Sequence, residues 1–324
     1  MVAPSGRAPM LEALSYADRR VRLDAALAIA NSAPRQSFPG DHTVVPTLAT
    51  SIIDAGGNRA AILGGSLEER QAIAQQLETA GFVPVAGAEA FDGLEIDVVR
   101  ANGVDLVVVR GAVEDLKSAV GRVRASGLTS SSPVVAIANP LEEAAVRRAF
   151  ADDRSVMVWT EGGTAETFRG AAIAAMTNSS GSVMDEAEGA DYALRAAEAL
   201  RAIAHSGTRT FSVADAEPAL LKALAETQGQ LRMVVAEILA IHASAAAQRA
   251  LIEAAITSNG LEQVALCDFA AAAARSSGLK ADERQLSALR ELIASAEGEF
   301  ADAAGRLYGA LDAGPAEVIK LITE

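Results

Sequence analysis

Short apolar runs alternate with amphipathic stretches through the middle of the chain. Five apolar runs lie between residues 58 and 177, and a stretch of helical period follows each of them. These runs are 59–65, 82–88, 104–111, 133–140 and 155–162. The third and fourth are apolar throughout, which is typical of strands that are buried on both faces. The pattern therefore predicts a doubly wound, parallel, five-stranded sheet with helices on both faces.

On both sides of this segment the pattern is helical. Residues 9–56 contain a few short helical stretches, and residues 190–324 contain a longer series of helices with short breaks. Residues 178–190, rich in Ser, Gly and acidic side chains, are expected to be a linker. The predicted fold class is therefore α/β plus all-α, with helical sections flanking the domain at 58–177.

An internal repeat relates the two helical sections. The pairs Ala30–Ala204 and Arg35–Arg209 have the same spacing, and Pro46 falls near Pro218. The chain pattern also restarts after about 37 residues within the last section, a period that is typical of helical solenoids. The sections at the two ends of the chain are therefore expected to contain copies of one two-helix unit.

The segment at 18–29, DRRVRLDAALAI, resembles the second helix of a HEAT repeat. That family carries an Asp and an Arg near the first and fifth positions of this segment, and the Arg here is Arg22. Arg195 and Arg232 stand at the corresponding position in later copies, and Ala265 replaces the Arg in the next one. The resemblance covers about half the chain and implies a stacked array used for protein binding or scaffolding. The alternative is a helical bundle without repeats.

The five strand–helix units resemble a response-regulator receiver domain. The resemblance covers about 120 residues and rests on length, strand spacing and the junction at Gly81 and Phe82. It implies a flavodoxin-like fold with its site at the carboxyl ends of the strands. In that family an acidic pair after the first strand binds magnesium, and an aspartate at the end of the third accepts the phosphoryl group. A Ser or Thr ends the fourth strand, and a lysine ends the fifth.

This chain departs from the receiver pattern at each of these positions. The third strand ends in Arg110, and no lysine occurs between Lys117 and Lys222. Magnesium needs carboxylate oxygens, and the phosphoryl group needs a carboxylate nucleophile. The resemblance therefore implies a vestigial pocket without phosphorylation chemistry. Its positions are Gly64, Gly65, Ser66, Arg110, Ala138, Asn139 and Thr160.

Arg110 has three interpretations at this stage. It could form an ion pair with Glu68, Glu69 or Asp115 and so mimic a locked state, it could bind an anionic ligand, or it could be a solvated side chain. The acidic residues themselves lie at predicted helix starts, where the helix dipole favours them for structural reasons.

Patterns for other chemistry are weak in this sequence. The run ILGGSLEER lacks the spacing of a dinucleotide-binding loop, and the chain contains no Walker lysine, nucleophile elbow or HExxH pattern. Cys267 lies in an apolar helical run and is expected to be a core side chain. The three histidines, His42, His205 and His242, show no ligand spacing. We therefore expect no catalytic residue, no metal site and no cofactor.

The net charge of −14 and the pI of about 4.8 limit the choice of partners. Such a polyanion is repelled by nucleic acid and by anionic lipid, so neither is expected to bind. The chain has no run long enough to span a bilayer and no secretory signal at its start, so we expect a cytoplasmic protein unless the chain is a fragment.

The sequence thus predicts a non-enzymatic interaction or scaffold protein, of the kind used in signalling, with a phosphorylation-incompetent receiver-like domain. Its expected partner is another protein. The main alternative is a sensor that binds a small anionic ligand or nucleotide near Arg110, Gly64 and Gly65. An enzyme with an unrecognised site is the third reading.

Overall fold

A computed structural model describes residues 9–53, 57–101, 103–294 and 296–311 of the chain. Its described residues divide into two compact units, the first made of 9–26 and 57–190 and the second of 27–53 and 191–311. Each unit is therefore assembled from two separate stretches of sequence. Residues 9–56, expected to form one helical section, contribute to both units.

The helices account for most of the described chain. In chain order they are α1 (Pro9–Ala13), α2 (Arg19–Asn31), α3 (Asp41–Ile53), α4 (Leu67–Thr79), α5 (Phe91–Arg100), α6 (Val113–Ala125), α7 (Glu143–Ala149), α8 (Ala165–Ser180), α9 (Glu186–Ser206), α10 (Glu217–Glu226), α11 (Gly229–His242), α12 (Ala245–Thr257), α13 (Gly260–Ser277), α14 (Glu283–Ala294) and α15 (Gly298–Ala310). Two of the three unit boundaries fall inside helices, one in α2 and one in α9. Of the helical section predicted at 190–324, the part after residue 311 lies outside the described residues.

A five-stranded parallel sheet forms the centre of the first unit. Its strands are β1 (Asn58–Leu63), β2 (Phe82–Ala88), β3 (Leu106–Arg110), β4 (Val134–Ala138) and β5 (Val156–Thr160). Their order is β2-β1-β3-β4-β5, and every neighbouring pair is parallel. All five predicted strands are present, and the predicted parallel sheet is confirmed. Because the strands are parallel, their carboxyl ends meet at one edge.

Successive side chains of the central strands point to opposite faces of the sheet, and each face is covered by helices. Val107 and Val109 of β3 pack into a core with side chains of α5, α6 and α7. Leu106 and Val108 pack into a second core with side chains of α4 and α8. A strand with apolar neighbours on both faces needs an uninterrupted apolar sequence, which is the pattern seen in β3 and β4.

The opposite, amino edge of the sheet is held by α2, near the start of the chain. Arg19 Nη1 donates to Asp105 Oδ2 at 3.2 Å, and the same oxygen accepts from the backbone N–H of Arg59 at 2.8 Å. Arg22 is fully buried and donates from Nη1 to the carbonyls of Tyr16 (2.6 Å) and Ala17 (2.7 Å). Burial lowers the pKa of Arg22 to about 10, so the side chain stays charged at neutral pH. Asp105 therefore lies away from the carboxyl edge, as the sequence predicts, and anchors the N-terminal segment.

The segment 178–190, expected to be a linker, is helical at both ends. Helix α8 runs to Ser180 and ends at Gly181, whose φ is 80°. Helix α9 begins at Glu186, and the Asp185 side chain accepts a hydrogen bond from the N–H of Glu188 at 2.8 Å. This is a helix-capping contact, and acidic residues in the first turn add to it. The Ser- and acid-rich composition therefore marks two helix ends rather than a long linker.

The second unit is built from helices stacked in two rows. Helices α3, α10, α12 and α14 pack in succession, and so do α11, α13 and α15. Helix α3 precedes the sheet in sequence and α10 follows it, yet the two pack together. The loops before them also meet, since the rings of Phe38 and Phe211 are 6.2 Å apart, edge to face. Along the sequence, the sheet-forming segment is therefore inserted between two helices, α3 and α10, that are neighbours in one stack.

A glycine with the same conformation begins every helix of the second row. Gly229, Gly260 and Gly298 open α11, α13 and α15 with φ of 64°, 63° and 61°. This left-handed region is open to glycine at little cost and strains other residues. The same backbone turn thus occurs three times, which is what a structural repeat requires.

Two polar side chains mark an equivalent position in this row. Arg232 Nε donates to the carbonyl of Leu224 at 2.8 Å, and Gln263 Nε2 donates to the carbonyl of Ala255 at 3.0 Å. Both stand three residues after the opening glycine and bond eight residues back. The sequence comparison placed Ala265 at the corresponding position, two residues further along α13. Gln263 takes the place of the arginine.

Cys267 is a fully buried side chain of α13, as expected. Burial raises the pKa of its thiol to about 11, so the reactive thiolate is scarce at neutral pH. Within the described ranges, no helix has the combined length and apolar character needed to cross a membrane.

Candidate functional site

The parallel strands bring the seven candidate positions to the carboxyl edge of the sheet. Gly64, Gly65 and Ser66 follow β1, Arg110 ends β3, Ala138 and Asn139 end β4, and Thr160 ends β5. Two cross-strand contacts hold this edge together. Gly64 lies against the backbone of Arg110, and the N–H of Glu161 donates to the carbonyl of Ala138 at 2.9 Å.

Arg110 lies between two carboxylates at the centre of this edge. Its Nη2 is 2.8 Å from Glu69 Oε1, and its Nη1 is 2.8 Å from Glu161 Oε1. The Arg110 side chain is 22% exposed, against 41% and 42% for the two acids. Of the three acids that the sequence proposed as partners, Glu69 makes the ion pair. The second partner, Glu161, was not foreseen.

Glu69 is positioned by the start of α4. The Ser66 hydroxyl accepts from the N–H of Glu69 at 3.3 Å, and Glu69 Oε2 accepts from the N–H of Ser66 at 2.7 Å. This reciprocal capping box fixes the side chain while its other oxygen faces Arg110. The hydrogen bond from the Ser66 N–H, with the charge of Arg110, lowers the pKa of Glu69. Glu69 therefore stays ionised and bound at acidities that protonate an ordinary glutamate.

Glu161 owes its position to the sheet rather than to a helix cap. It follows directly after Thr160, and strand order places β5 two strands from β3, with β4 between them. An arginine at the end of β3 is long enough to reach across this distance. The fifth apolar run, 155–162, does contain an acid near its end, and that signal would have identified Glu161 once the strand order was known.

The remaining pocket positions have structural partners. Asn139 Oδ1 accepts from the N–H of Leu141 at 2.9 Å, which stabilises the turn after β4. Ala138 is fully buried. Arg147 and the Thr160 hydroxyl both donate to Glu143 and lower the pKa of that carboxyl. In the receiver pattern a lysine ends the fifth strand. Here Thr160 holds that position, and its hydroxyl bonds Glu143 of α7.

Gly64 allows β1 and β3 to approach closely at the site. Its φ is 89°, and a Cβ on it would lie 2.1 Å from the carbonyl oxygen of Arg110. Only glycine fits this combination of backbone angle and space. The glycine pair after β1 is therefore explained by the path of the chain beside Arg110.

Two clefts flank Arg110. The larger, about 470 Å³, is lined by Gly64, Gly65, Phe91, Asp115 and Arg122 among others. The smaller, about 200 Å³, lies on the other side, next to Trp159 and Ile73. Arg122 in the larger cleft already pairs with Asp92. Both cations of the larger cleft thus have carboxylate partners.

The arrangement provides a compensated charge network rather than reactive groups. Among the described residues, no three His, Cys, Asp or Glu side chains are grouped so as to hold a metal ion. The acids closest to Arg110 are held by its guanidinium and by a helix cap. The network can set the conformation of the edge and the loops that carry it.

No protein-family model matches the chain, and no curated protein matches it.

Proposed function

We propose that this chain is a non-enzymatic protein-interaction or scaffold protein. Its first unit is a receiver-like module that does not take a phosphoryl group, and its second unit is a HEAT-like array that supplies a recognition surface. Its partner is another protein.

The observation that carries the proposal is the pairing of Arg110 with Glu69 and Glu161. In the receiver pattern an aspartate ends the third strand and a lysine ends the fifth. Here the cation ends β3 and the acid follows β5, so the polarity of that pair is reversed. An entering phosphoryl group would meet a cation without a nucleophile, flanked by two carboxylates that repel it.

Topology supports the receiver-like assignment. The observed order β2-β1-β3-β4-β5 corresponds to the flavodoxin-like order 2-1-3-4-5. In such sheets ligands bind outside the carboxyl ends of the strands, and this is the edge that the ion pairs occupy.

The assignment of the second unit to HEAT-like repeats rests on two features. Helices α11, α13 and α15 open with a glycine of the same conformation, and Arg232 and Gln263 make the same contact to the preceding helix. Arrays of this type present extended surfaces that bind other proteins.

The rival function, a sensor for a small anion, is favoured by the arginine pair in the larger cleft. Against it, Arg110 and Arg122 are both neutralised by acids. A ligand would have to displace these carboxylates, and that cost lowers affinity.

Incubation of the full chain with Mg²⁺ and acetyl phosphate tests whether the receiver-like module can accept a phosphoryl group. We expect no mass increase corresponding to a phosphoryl group. Stoichiometric acid-labile phosphorylation would refute the proposal. Thermal unfolding with phosphate, ATP and GTP tests the sensor, since a ligand that binds only the folded state raises Tm.

A pull-down with three forms of the chain as baits tests the role of the sheet's carboxyl edge in partner binding. The baits are the wild type, Arg110→Asp, and Arg110→Asp combined with Glu161→Arg, which restores one ion pair with reversed polarity. If the pair only holds the edge in shape, the double variant recovers a partner that the single variant loses. A partner that neither variant retains recognises Arg110 itself. Absence of any stoichiometric partner for the wild type would overturn the scaffold function.

A further inference from the structure

The sequence contains two Asn–Gly pairs, at 102–103 and 259–260. An asparagine before a glycine is open to spontaneous deamidation, in which the backbone nitrogen of the glycine attacks the side-chain carbonyl carbon of the asparagine. Glycine favours this step because it has no Cβ to obstruct the approach and leaves the backbone free to rotate. By sequence alone the two pairs are equally reactive, so the folded structure decides whether they differ.

The backbone nitrogen of Gly103 is engaged in the fold. Its N–H donates to the carbonyl of Val98 at 2.9 Å. Gly103 is also buried against the guanidinium of Arg22, where a Cβ would overlap Nη2. Attack by this nitrogen would break the hydrogen bond and displace a buried segment of backbone. Asn102 itself lies outside the described residues, but the position of its neighbour makes the nitrogen of Gly103 a poor nucleophile in the folded protein.

Gly260 differs in each of these respects. It is exposed and has open space around it. Within the part of the chain that the structure describes, its N–H makes no hydrogen bond. Gly260 is the first residue of α13, and the first N–H groups of a helix have no partner within that helix. The nitrogen of Gly260 can therefore act as the nucleophile without the loss of a native contact.

The side chain of Asn259 is also unrestrained. It is exposed, and it makes no capping hydrogen bond, unlike Ser244 at the start of α12. The backbone of Asn259 is extended, with ψ of 166°, so the peptide group before Gly260 must rotate to bring the nitrogen to the side chain. The carbonyl of Asn259 accepts from the N–H of Gln263 at 3.4 Å, which is long for such a bond, so this rotation costs little.

The equivalent turns before α11 and α15 do not share this chemistry. Gln228 and Glu297 precede Gly229 and Gly298 with nearly the same backbone angles as Asn259. A glutamine would have to close a six-membered ring, which forms more slowly than a five-membered one. A glutamate has no side-chain nitrogen to release. Asn259 is thus the reactive member of the three.

We propose that Asn259 is a site of spontaneous deamidation in the folded protein. The nitrogen of Gly260 bonds to the side-chain carbonyl carbon of Asn259, and its proton leaves with the side-chain nitrogen as ammonia, which closes a five-membered succinimide. Water then opens the ring at either carbonyl and gives aspartate or isoaspartate. Water is the only co-reactant, and nothing is oxidised or reduced. This inference is independent of the function proposed above.

The two products differ in their effect on the second unit. Aspartate adds a negative charge at the start of α13, where the helix dipole favours it. Isoaspartate instead adds a methylene group to the backbone between α12 and α13. It does so four residues before Gln263, whose Nε2 donates to the carbonyl of Ala255. Isoaspartate is therefore expected to weaken the contact between these two helices.

Peptide mapping by mass spectrometry, after incubation of the full chain at mildly alkaline pH, tests the site. We expect the folded protein to convert Asn259 several-fold faster than Asn102. The urea-unfolded chain is the matched control, and there we expect similar rates at the two positions, because only the sequence remains. An Asn259 that stays intact in the folded protein, or an Asn102 that converts as fast as Asn259 there, would overturn the proposal.

Asn259→Gln provides a second measurement. Glutamine stands at the equivalent position 228, so the turn is expected to accept it. Ion-exchange chromatography of incubated samples separates the deamidated protein, which carries one more negative charge. We expect this acidic form to accumulate in the wild type and to be reduced several-fold in Asn259→Gln. Equal accumulation in both would place the reaction at another residue and refute the assignment.

Discussion

Arg110 forms two ion pairs, but it does so near the surface, and this sets their energetic weight. Both carboxylates are more than a third exposed, so solvent screens much of the attraction. The pairs therefore orient the strand end more than they stabilise the fold.

Replacing Arg110 by alanine is expected to lower the free energy of unfolding by about 1 kcal/mol, because exposed pairs contribute about 0.2–1 kcal/mol each. Urea unfolding at low ionic strength measures the change. The difference from wild type should shrink in about 1 M salt, where charges are screened within ~3 Å. A loss of several kcal/mol that is insensitive to salt would show that Arg110 is a core residue instead.

The lowered pKa of Glu69 predicts a pH dependence with a definite sign. A carboxyl group with a depressed pKa stabilises the fold above its ordinary value of 4.5, and this contribution is lost as pH falls through the folded-state pKa. Glu69→Gln keeps the capping geometry but cannot ionise. We expect wild type to exceed this variant in stability at neutral pH and to approach it as the medium is acidified below pH 4.5. A stability difference that does not change with pH would contradict the assignment.

Gly64 and Gly121 form a matched pair for a substitution to alanine. Gly64→Ala places a Cβ against the Arg110 carbonyl at positive φ and is expected to cost about 2 kcal/mol or more. Gly121 lies in α6 with open space around it, so Gly121→Ala should stabilise by about 0.5–1 kcal/mol. Chemical denaturation of both variants measures the contrast. Similar effects in both would show that β1 and β3 do not approach each other as described.

At the scale of elements, the repeated feature is a side-chain hydrogen bond from the start of α11, and likewise of α13, to a backbone carbonyl of the helix before it. Arg232 is 13% exposed and also binds Ser258 Oγ at 3.0 Å and Glu262 Oε1 at 2.6 Å. Gln263 makes the equivalent contact without a charge. The repeat thus conserves a backbone hydrogen bond while the side chain that makes it changes.

Arg232→Ala is expected to destabilise the protein by about 3 kcal/mol, because it leaves a carbonyl and a carboxylate without their partner. Gln263→Leu should cost about 1–2 kcal/mol. The control is Arg195→Ala. The sequence comparison placed Arg195 at the position of Arg232, but it stands nine residues into α9, pairs with Asp191 and is 46% exposed, so its loss should cost less than about 0.5 kcal/mol. Thermal unfolding followed by circular dichroism ranks the three, and a cost for Gln263→Leu no larger than that for Arg195→Ala would contradict the equivalence of Arg232 and Gln263.

For the whole molecule, the dominant electrostatic feature is a net charge of −14. Like charges repel within the compact state, and salt screens this repulsion over about 8 Å at physiological strength. We therefore expect Tm to rise by a few degrees between low salt and about 0.15 M salt. A fall in Tm over this range would mean that attractive pairs outweigh the net repulsion.

Trp159, the single tryptophan, provides a probe for one part of the molecule. It is 7% exposed and packs in the core between the sheet, α4 and α8. Its fluorescence therefore reports on the first unit. Gly64→Ala is expected to shift the denaturant midpoint of this signal, and an unchanged midpoint would place the substitution's effect elsewhere.

The sequence by itself determined the local elements and the chemical character of the site. Apolar runs and helical periodicity depend on short-range burial, so the five strands of the sheet could be read directly. The residue types at the strand ends likewise indicated an edge with Arg110 and without an acceptor carboxylate.

Only the tertiary structure decided which distant residues meet. Strand order brings Glu161 to Arg110, and stacking brings α3 beside α10 although the sheet separates them in sequence. The register that makes Gln263 the equivalent of Arg232 is set by helix packing, since neighbouring alanines look alike in the sequence. These facts depend on contacts between segments far apart along the chain, which local patterns do not encode.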